Sequence, residues 1–153
     1  MQLHRSHVVL GLLACLGCHG PVEPLERLRM VADVQPNVVT AASPVAVTVT
    51  IANISDEPVR FLPNNCPQGF VVRTATGGVV GPEPVLCNAV GSAPVVLLPG
   101  AERRVSYVWK GQGLGDNLSA KQLPPGEYWI QGVLYPSCKC QNLRSDLVPV
   151  VVQ

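Results

Sequence analysis

Cysteines carry most of the reactive chemistry in this chain. Cys66, Cys87, Cys138 and Cys140 lie well beyond the N-terminal segment, and the last two are separated only by Lys139. A thiol pair at that spacing suits three roles: a redox couple with a lysine-lowered pKa, a soft-metal clip, or a staple at the end of a strand. The histidines are His4, His7 and His19, so none follows residue 19. That removes the commonest general base, any Ser-His or Cys-His nucleophile and every histidine-containing zinc site from the rest of the chain. Asp56 and Glu57 sit together in a turn, while Glu83, Glu102, Asp116, Glu127 and Asp146 are scattered. A glycosidase-type carboxylate pair would therefore need tertiary assembly. No Gly-rich phosphate loop leads into a helical pattern. The expectation is a non-enzymatic protein with no catalytic residues, no cofactor and no metal.

Four cysteines allow three connectivities. In an oxidising compartment, disulfides are favoured over a zinc ion held by four thiolates. Pairing Cys66 with Cys87 closes a 22-residue loop, worth about 3 kcal/mol by loop entropy. It leaves Cys138 with Cys140, a tight ring and the more reducible bond. Crossed pairings of Cys66 or Cys87 with Cys138 or Cys140 would be equally structural. Thiol oxidoreductases present Cys-x-x-Cys at a helix N-terminus, and no helix is predicted beside Cys138. The staple is thus the favoured reading, with a redox or metal-capturing pair as a remote alternative.

The elements that must position these cysteines are short strands. Val45, Val47, Val49 and Ile51 alternate with Ala46, Thr48, Thr50 and Ala52 and end at Asn53 and the turn Ser55-Asp56-Glu57-Pro58, a period of two with β-branched residues. LRMVADV (28–34), GFVVRTA (69–75), VVLL (95–98), RRVSYVW (103–109), EYWIQGVLY (127–135) and DLVPVVV (146–152) repeat the theme. Pro 15 and Gly 14 in 153 residues interrupt nearly every helical window. The pattern predicts an all-β fold, an immunoglobulin-like antiparallel β-sandwich of about seven to eight short strands. Within it, Leu123-Pro124-Pro125-Gly126 is a turn in which Gly126 supplies positive φ. Tyr128 then takes the corner position of sandwich domains. Trp109, like Tyr107 and Trp129, is expected to pack in the core or at an edge.

Charged residues are 14% of the chain, and 11 basic face 10 acidic residues. No basic stripe exists to neutralise phosphates, so nucleic acid is excluded as an expected partner. At the N-terminus, MQLHRSH carries Arg5 and leads into the apolar VVLGLLA (8–14). That run is too short for a mature span across ~30 Å of hydrocarbon but suits a secretory signal. Ala14 before Cys15 and Gly17 before Cys18 resemble the lipobox of bacterial lipoproteins, whose new N-terminal cysteine is lipidated. Leu12 favours Cys15; parity of the remaining thiols favours Cys18. The expected organisation is a signal peptide over 1–18, a flexible tether over 19–27 and a sandwich domain over 28–153. Its expected location is the cell envelope, held to the membrane by the N-terminal lipid alone.

VTVTIANISDEPVRF (47–61), GFVVRTATGGVV (69–80), LLPGAERRVSYVW (97–109) and LPPGEYWIQGVL (123–134), in that order, resemble the BsuPI-type proteinase inhibitor domain family. The resemblance covers roughly residues 45–135 and implies an immunoglobulin-like sandwich without enzymatic activity. The leading functional expectation is an exported lipoprotein carrying a protein-binding module. The alternative is a proteinase inhibitor, whose loop must be rigid before it meets the protease. The candidate loop is Pro84-Val85-Leu86-Cys87-Asn88-Ala89, stiffened by Pro82 and Pro84 and tied at Cys87. The expected partner is a protein, a protease in the second reading.

Overall fold

The structure, a computed structural model, describes residues 25–61, 69–81, 93–115, 119–134 and 142–153. Chain order labels the strands β1 (Leu28–Gln35), β2 (Val38–Val39), β3 (Val45–Asn53), β4 (Val59–Phe61), β5 (Gly69–Arg73), β6 (Val79–Gly81), β7 (Val95–Leu97), β8 (Glu102–Trp109), β9 (Gln112–Leu114), β10 (Ala120–Gln122), β11 (Gly126–Leu134) and β12 (Leu143–Val152).

The strict valine alternation makes β3 the centre of one sheet. Val45, Val47, Val49 and Ile51 are all buried, and their branched side chains fill one side of the pleat. Strand β1 pairs antiparallel on one side, Leu28 opposite Asn53 and Gln35 opposite Ala46. Strand β8 pairs antiparallel on the other, Val45 opposite Trp109 and Ala52 opposite Glu102. The second sheet has the order β2-β12-β11-β5-β6. All its pairs are antiparallel except β2 with the end of β12. The short ladders β4-β7 and β9-β10 complete the fold.

The two sheets pack face to face, with Met30, Val47, Val49 and Ile51 from one and Phe70, Val72, Ile130, Leu134, Val150 and Val152 from the other in one core. Gly132 on β11 shows how close they lie. A Cβ there would sit 3.0 Å from Val49 Cγ1 and 3.1 Å from Met30 Sδ. The chain changes sheets between β1 and β2, where the Gln35–Pro36 peptide is cis. It then runs parallel to β12, with Val38 opposite Val151 and Val39 opposite Val152. A first strand divided between both layers of a two-sheet sandwich, together with this order, is an immunoglobulin-like arrangement.

The described residues form twelve strands where the sequence predicts seven or eight. The surplus comes from very short pieces, β2, β4, β6, β9 and β10, which are too brief to leave a periodic signature. Strand β12 begins at Leu143, three residues before its predicted start, because a bulge hides its first part. Gln131 is opposite Leu147 but Val133 is opposite Arg144, so Ser145 and Asp146 together face Gly132. The extra residue shifts the phase: Ser145 points inward before the bulge, and Val150 and Val152 after it,. Within the segment expected to be a tether, Leu25–Arg27 form a 3-10 turn. Arg27 accepts the Ile54 amide at 2.9 Å through its carbonyl and pairs with Glu57 at 2.7 Å through its guanidinium.

Candidate functional site

The sandwich positions three of the residues singled out from the sequence. Gly126 has φ +155° and opens β11. Two residues on, Tyr128 is buried and its hydroxyl donates to the Pro124 carbonyl at 3.0 Å. The ring thus joins the core while the polar end ties the preceding turn to the strand, as in the tyrosine corner of sandwich domains. Trp109 closes β8, with its ring buried and Nε1 donating to the Gln112 carbonyl at 2.7 Å. All three side chains or turns brace the framework.

The lipidation candidates Cys15 and Cys18, the cysteines Cys66, Cys87, Cys138 and Cys140, and the loop Pro84, Val85, Leu86, Cys87, Asn88 and Ala89 lie outside the described residues. The strand ends that flank them are described. Gly69 is the register partner of Val133, and Leu134 of Leu143. Strand β6 runs antiparallel to β5, with Gly81 opposite Val72, so the C-terminal end of β6 lies on the Gly69 side. Phe61 is opposite Val95. Of the described strand ends that flank the cysteine-bearing stretches, Gly69, Gly81, Leu134 and Leu143 belong to the five-stranded sheet and Phe61 and Val95 to the β4-β7 ladder.

Sequence reasoning missed the polar centres that hold this framework. Asn53 is 1% exposed. Its Nδ2 donates to the carbonyls of Glu57 at 2.7 Å and Leu97 at 2.9 Å, and its Oδ1 accepts from the Ser55 amide at 2.9 Å and hydroxyl at 2.8 Å. Both the donor and the acceptor of the amide are thus engaged in shaping the turn after β3,. The signal was present as a strand ending in Asn before Ser-Asp-Glu-Pro. Ser145 is the second centre: its Oγ accepts the Gly132 amide at 2.8 Å and donates to the Asp146 carbonyl at 2.7 Å. Gln131 Nε2 donates to the Ser145 carbonyl at 2.9 Å and Arg73 Nε donates to Gln131 Oε1 at 3.1 Å.

One titrating group is displaced by its surroundings. Burial pushes the Tyr107 phenol above its ordinary 10.0, opposed in part by the positive charge of Arg103. Its hydroxyl is buried with no hydrogen-bond partner among the described residues, and its ring meets Phe70 at 5.5 Å and 59°. Among the described residues, no three His, Cys, Asp or Glu side chains stand together as a metal-binding group. Among them too, no helix is long and apolar enough to cross a membrane.

No family model and no curated protein matches the chain. Among solved structures it is similar to the C-terminal domain of wzt, with TM-score 0.52 and 9% identity over 83% of this chain and 74% of that one. This likeness is one of fold alone. Weaker similarities run to a β-glucosidase from Listeria innocua in complex with glucose (TM-score 0.46, 18% identity, 82% of this chain). Another is to the alkylpurine DNA glycosylase AlkC of Pseudomonas fluorescens bound to DNA with an abasic site analog (TM-score 0.47, 11% identity, 83% of this chain). The chain spans 16% of that glucosidase and 30% of that glycosylase.

Proposed function

We propose that this chain is an exported, lipid-anchored protein of the cell envelope whose sandwich is a non-enzymatic protein-binding module. The anchor is Cys15 or Cys18, and Cys66, Cys87, Cys138 and Cys140 form two disulfides. The observation that carries the reading is the convergence of flanking strand ends, Gly69 beside Val133 and Leu134 beside Leu143, on one end of a rigid sheet. Loops gathered at one end of a sandwich are a common way for this architecture to present contacts. Pairing Cys66 with Cys87 fits the Phe61–Val95 register, which brings one flank of each stretch together.

Intact mass and non-reducing peptide mapping of the protein from its native membrane test this. An acyl adduct on Cys15 or Cys18 with all four domain cysteines oxidised supports it. An unlipidated N-terminus with Cys138 and Cys140 reduced or metal-loaded refutes it.

The inhibitor reading, suggested by the resemblance to BsuPI-type domains, has one supporting observation. Both flanks of residues 82–92 are held, Gly81 against Gly113 of β9 and Val95 against Phe61 of β4. Fixed flanks reduce the ordering cost of a loop on binding. Under this reading Leu86→Asp abolishes inhibition of a susceptible serine protease while leaving the thermal transition in place. Absence of inhibition by the unaltered protein across trypsin-like, chymotrypsin-like and subtilisin-like enzymes removes the reading.

A further inference from the structure

Open sheets leave unpaired backbone groups at their edges, and proteins normally guard them. The β6 edge of the five-stranded sheet is covered by β9, where a Cβ on Gly81 would lie 2.6 Å from Gly113 Cα. The three-stranded sheet has β1 and β8 as its two edges. Strand β8 is guarded by charge. Arg103 is opposite Ile51, so it stands on the core side of the sheet although it is exposed, and a strand added there would have to cover its charge. Centring a second β8 on residue 103 or 104 would also set arginine against arginine.

Among the described residues, strand β1 has no such guard. Its inward residues are Leu28, Met30, Ala32 and Val34, and its outward ones are Arg29, Val31, Asp33 and Gln35. The Asn53 amide and carbonyl bond Ala101 and Gly100, on the β8 side. By alternation, Ala52, Thr50, Thr48 and Ala46 bond β1, through Arg29, Val31, Asp33 and Gln35,. The amides and carbonyls of Leu28, Met30, Ala32 and Val34 therefore point along the outer edge, which pairs with no strand among the described residues.

We propose that β1 is a homodimerisation edge, pairing antiparallel with β1 of a second copy about a dyad at Val31. In this register Met30 meets Ala32 and Leu28 meets Val34 of the second copy as hydrogen-bonded pairs, using the backbone groups the fold leaves free. The non-hydrogen-bonded pairs, whose side chains approach most closely, are Val31 with Val31 and Arg29 with Asp33. Val31 is 46% exposed, so the central contact buries apolar surface. The Arg29–Asp33 pair occurs twice by symmetry, as an isologous interface requires. Centring the dyad one residue away, at Met30 or Ala32, loses both ion pairs and shortens the ladder. The product is a continuous six-stranded sheet, β8-β3-β1 joined to its own copy. A single-strand interface is small, so association is expected to be weak in solution and strengthened when both copies share a membrane.

The test is sedimentation equilibrium of the full chain in density-matched detergent over a wide concentration range, with Arg29→Asp, Asp33→Arg and the double swap. The unaltered chain is expected to reach the dimer mass. Each single reversal places two like-charge pairs at the edge and raises the dissociation constant about tenfold, and the double swap restores it. Circular dichroism melts verify that each exposed substitution leaves the fold intact. A monomer at every concentration overturns the proposal. So does a dimer indifferent to both single reversals, or a double swap that fails to recover.

Discussion

The Ser145 hydroxyl accepts the Gly132 amide at 2.8 Å, across the bulge where two residues of β12 face one of β11. The bond satisfies a buried donor that the bulge removes from the ladder, at a point where the sheets lie close together. Ser145→Ala leaves that amide without a partner and is expected to cost about 1–3 kcal/mol. Gly132→Ala presses against Val49 and Met30 and is expected to cost a similar ~1–3 kcal/mol by overpacking. Urea denaturation of both variants checks this; midpoints equal to that of the unaltered protein would show that the bulge is not stabilising.

Tyr128→Phe keeps the buried ring and removes only the bond to the Pro124 carbonyl. The expected loss is about 0.5–1.5 kcal/mol, the usual net value of one hydrogen bond, with an unchanged denaturant slope. A larger loss accompanied by a changed slope would mean that the turn before β11 rearranges.

Asn53→Asp converts a donor pair into a carboxylate facing the carbonyls of Glu57 and Leu97. Burial and those carbonyls raise the folded-state pKa of the introduced group above its unfolded ~3.9. The folded state then holds its proton more tightly, so the variant is nearest to normal below ~pH 4 and loses stability as pH rises through the folded pKa. Thermal melts at acidic and neutral pH, compared with the unaltered protein, measure the difference; an equal deficit at both values would sink the argument.

Tyr107 offers the opposite case, a buried hydroxyl with no partner among the described residues. Tyr107→Phe is expected to be neutral or to stabilise by up to about 1 kcal/mol. Because burial raises the folded-state pKa above 10.0, the tyrosine's contribution is fully present below pH ~10 and is lost as pH rises through the folded value. The phenylalanine variant should therefore lose less stability in alkali. Melts on both sides of that pH decide the matter, and identical alkaline losses would count against it.

Much of the framework was legible from short-range pattern. The valine alternation of 45–51 located the central strand and its buried face, because a pleat with one apolar side has a period of two. The sequence Pro124-Pro125-Gly126-x-Tyr128 marked both the turn and the corner, since each step depends on residues within four positions. Trp109 was foreseen as a packing residue on its size alone. By contrast, the Ser145 bulge, the Asn53 bond to the Leu97 carbonyl and the core-side position of Arg103 were invisible. Each depends on a partner far along the chain: Gly132 for Ser145, Leu97 for Asn53, and Ile51 for Arg103.

The sequence by itself determined the fold class and the inward residues of the long strands, because local propensity and side-chain alternation act over a few residues. It also limited the available chemistry, by placing every histidine before residue 20. Only the tertiary structure decided sheet order, the parallel β2–β12 crossing and the phase change within β12. It also decided which strand edge stayed open and which ends met beside the cysteine-bearing stretches. Those outcomes are set by register between distant strands, where moving a strand by one residue exchanges its buried and exposed faces, and no local pattern encodes which partner it will find.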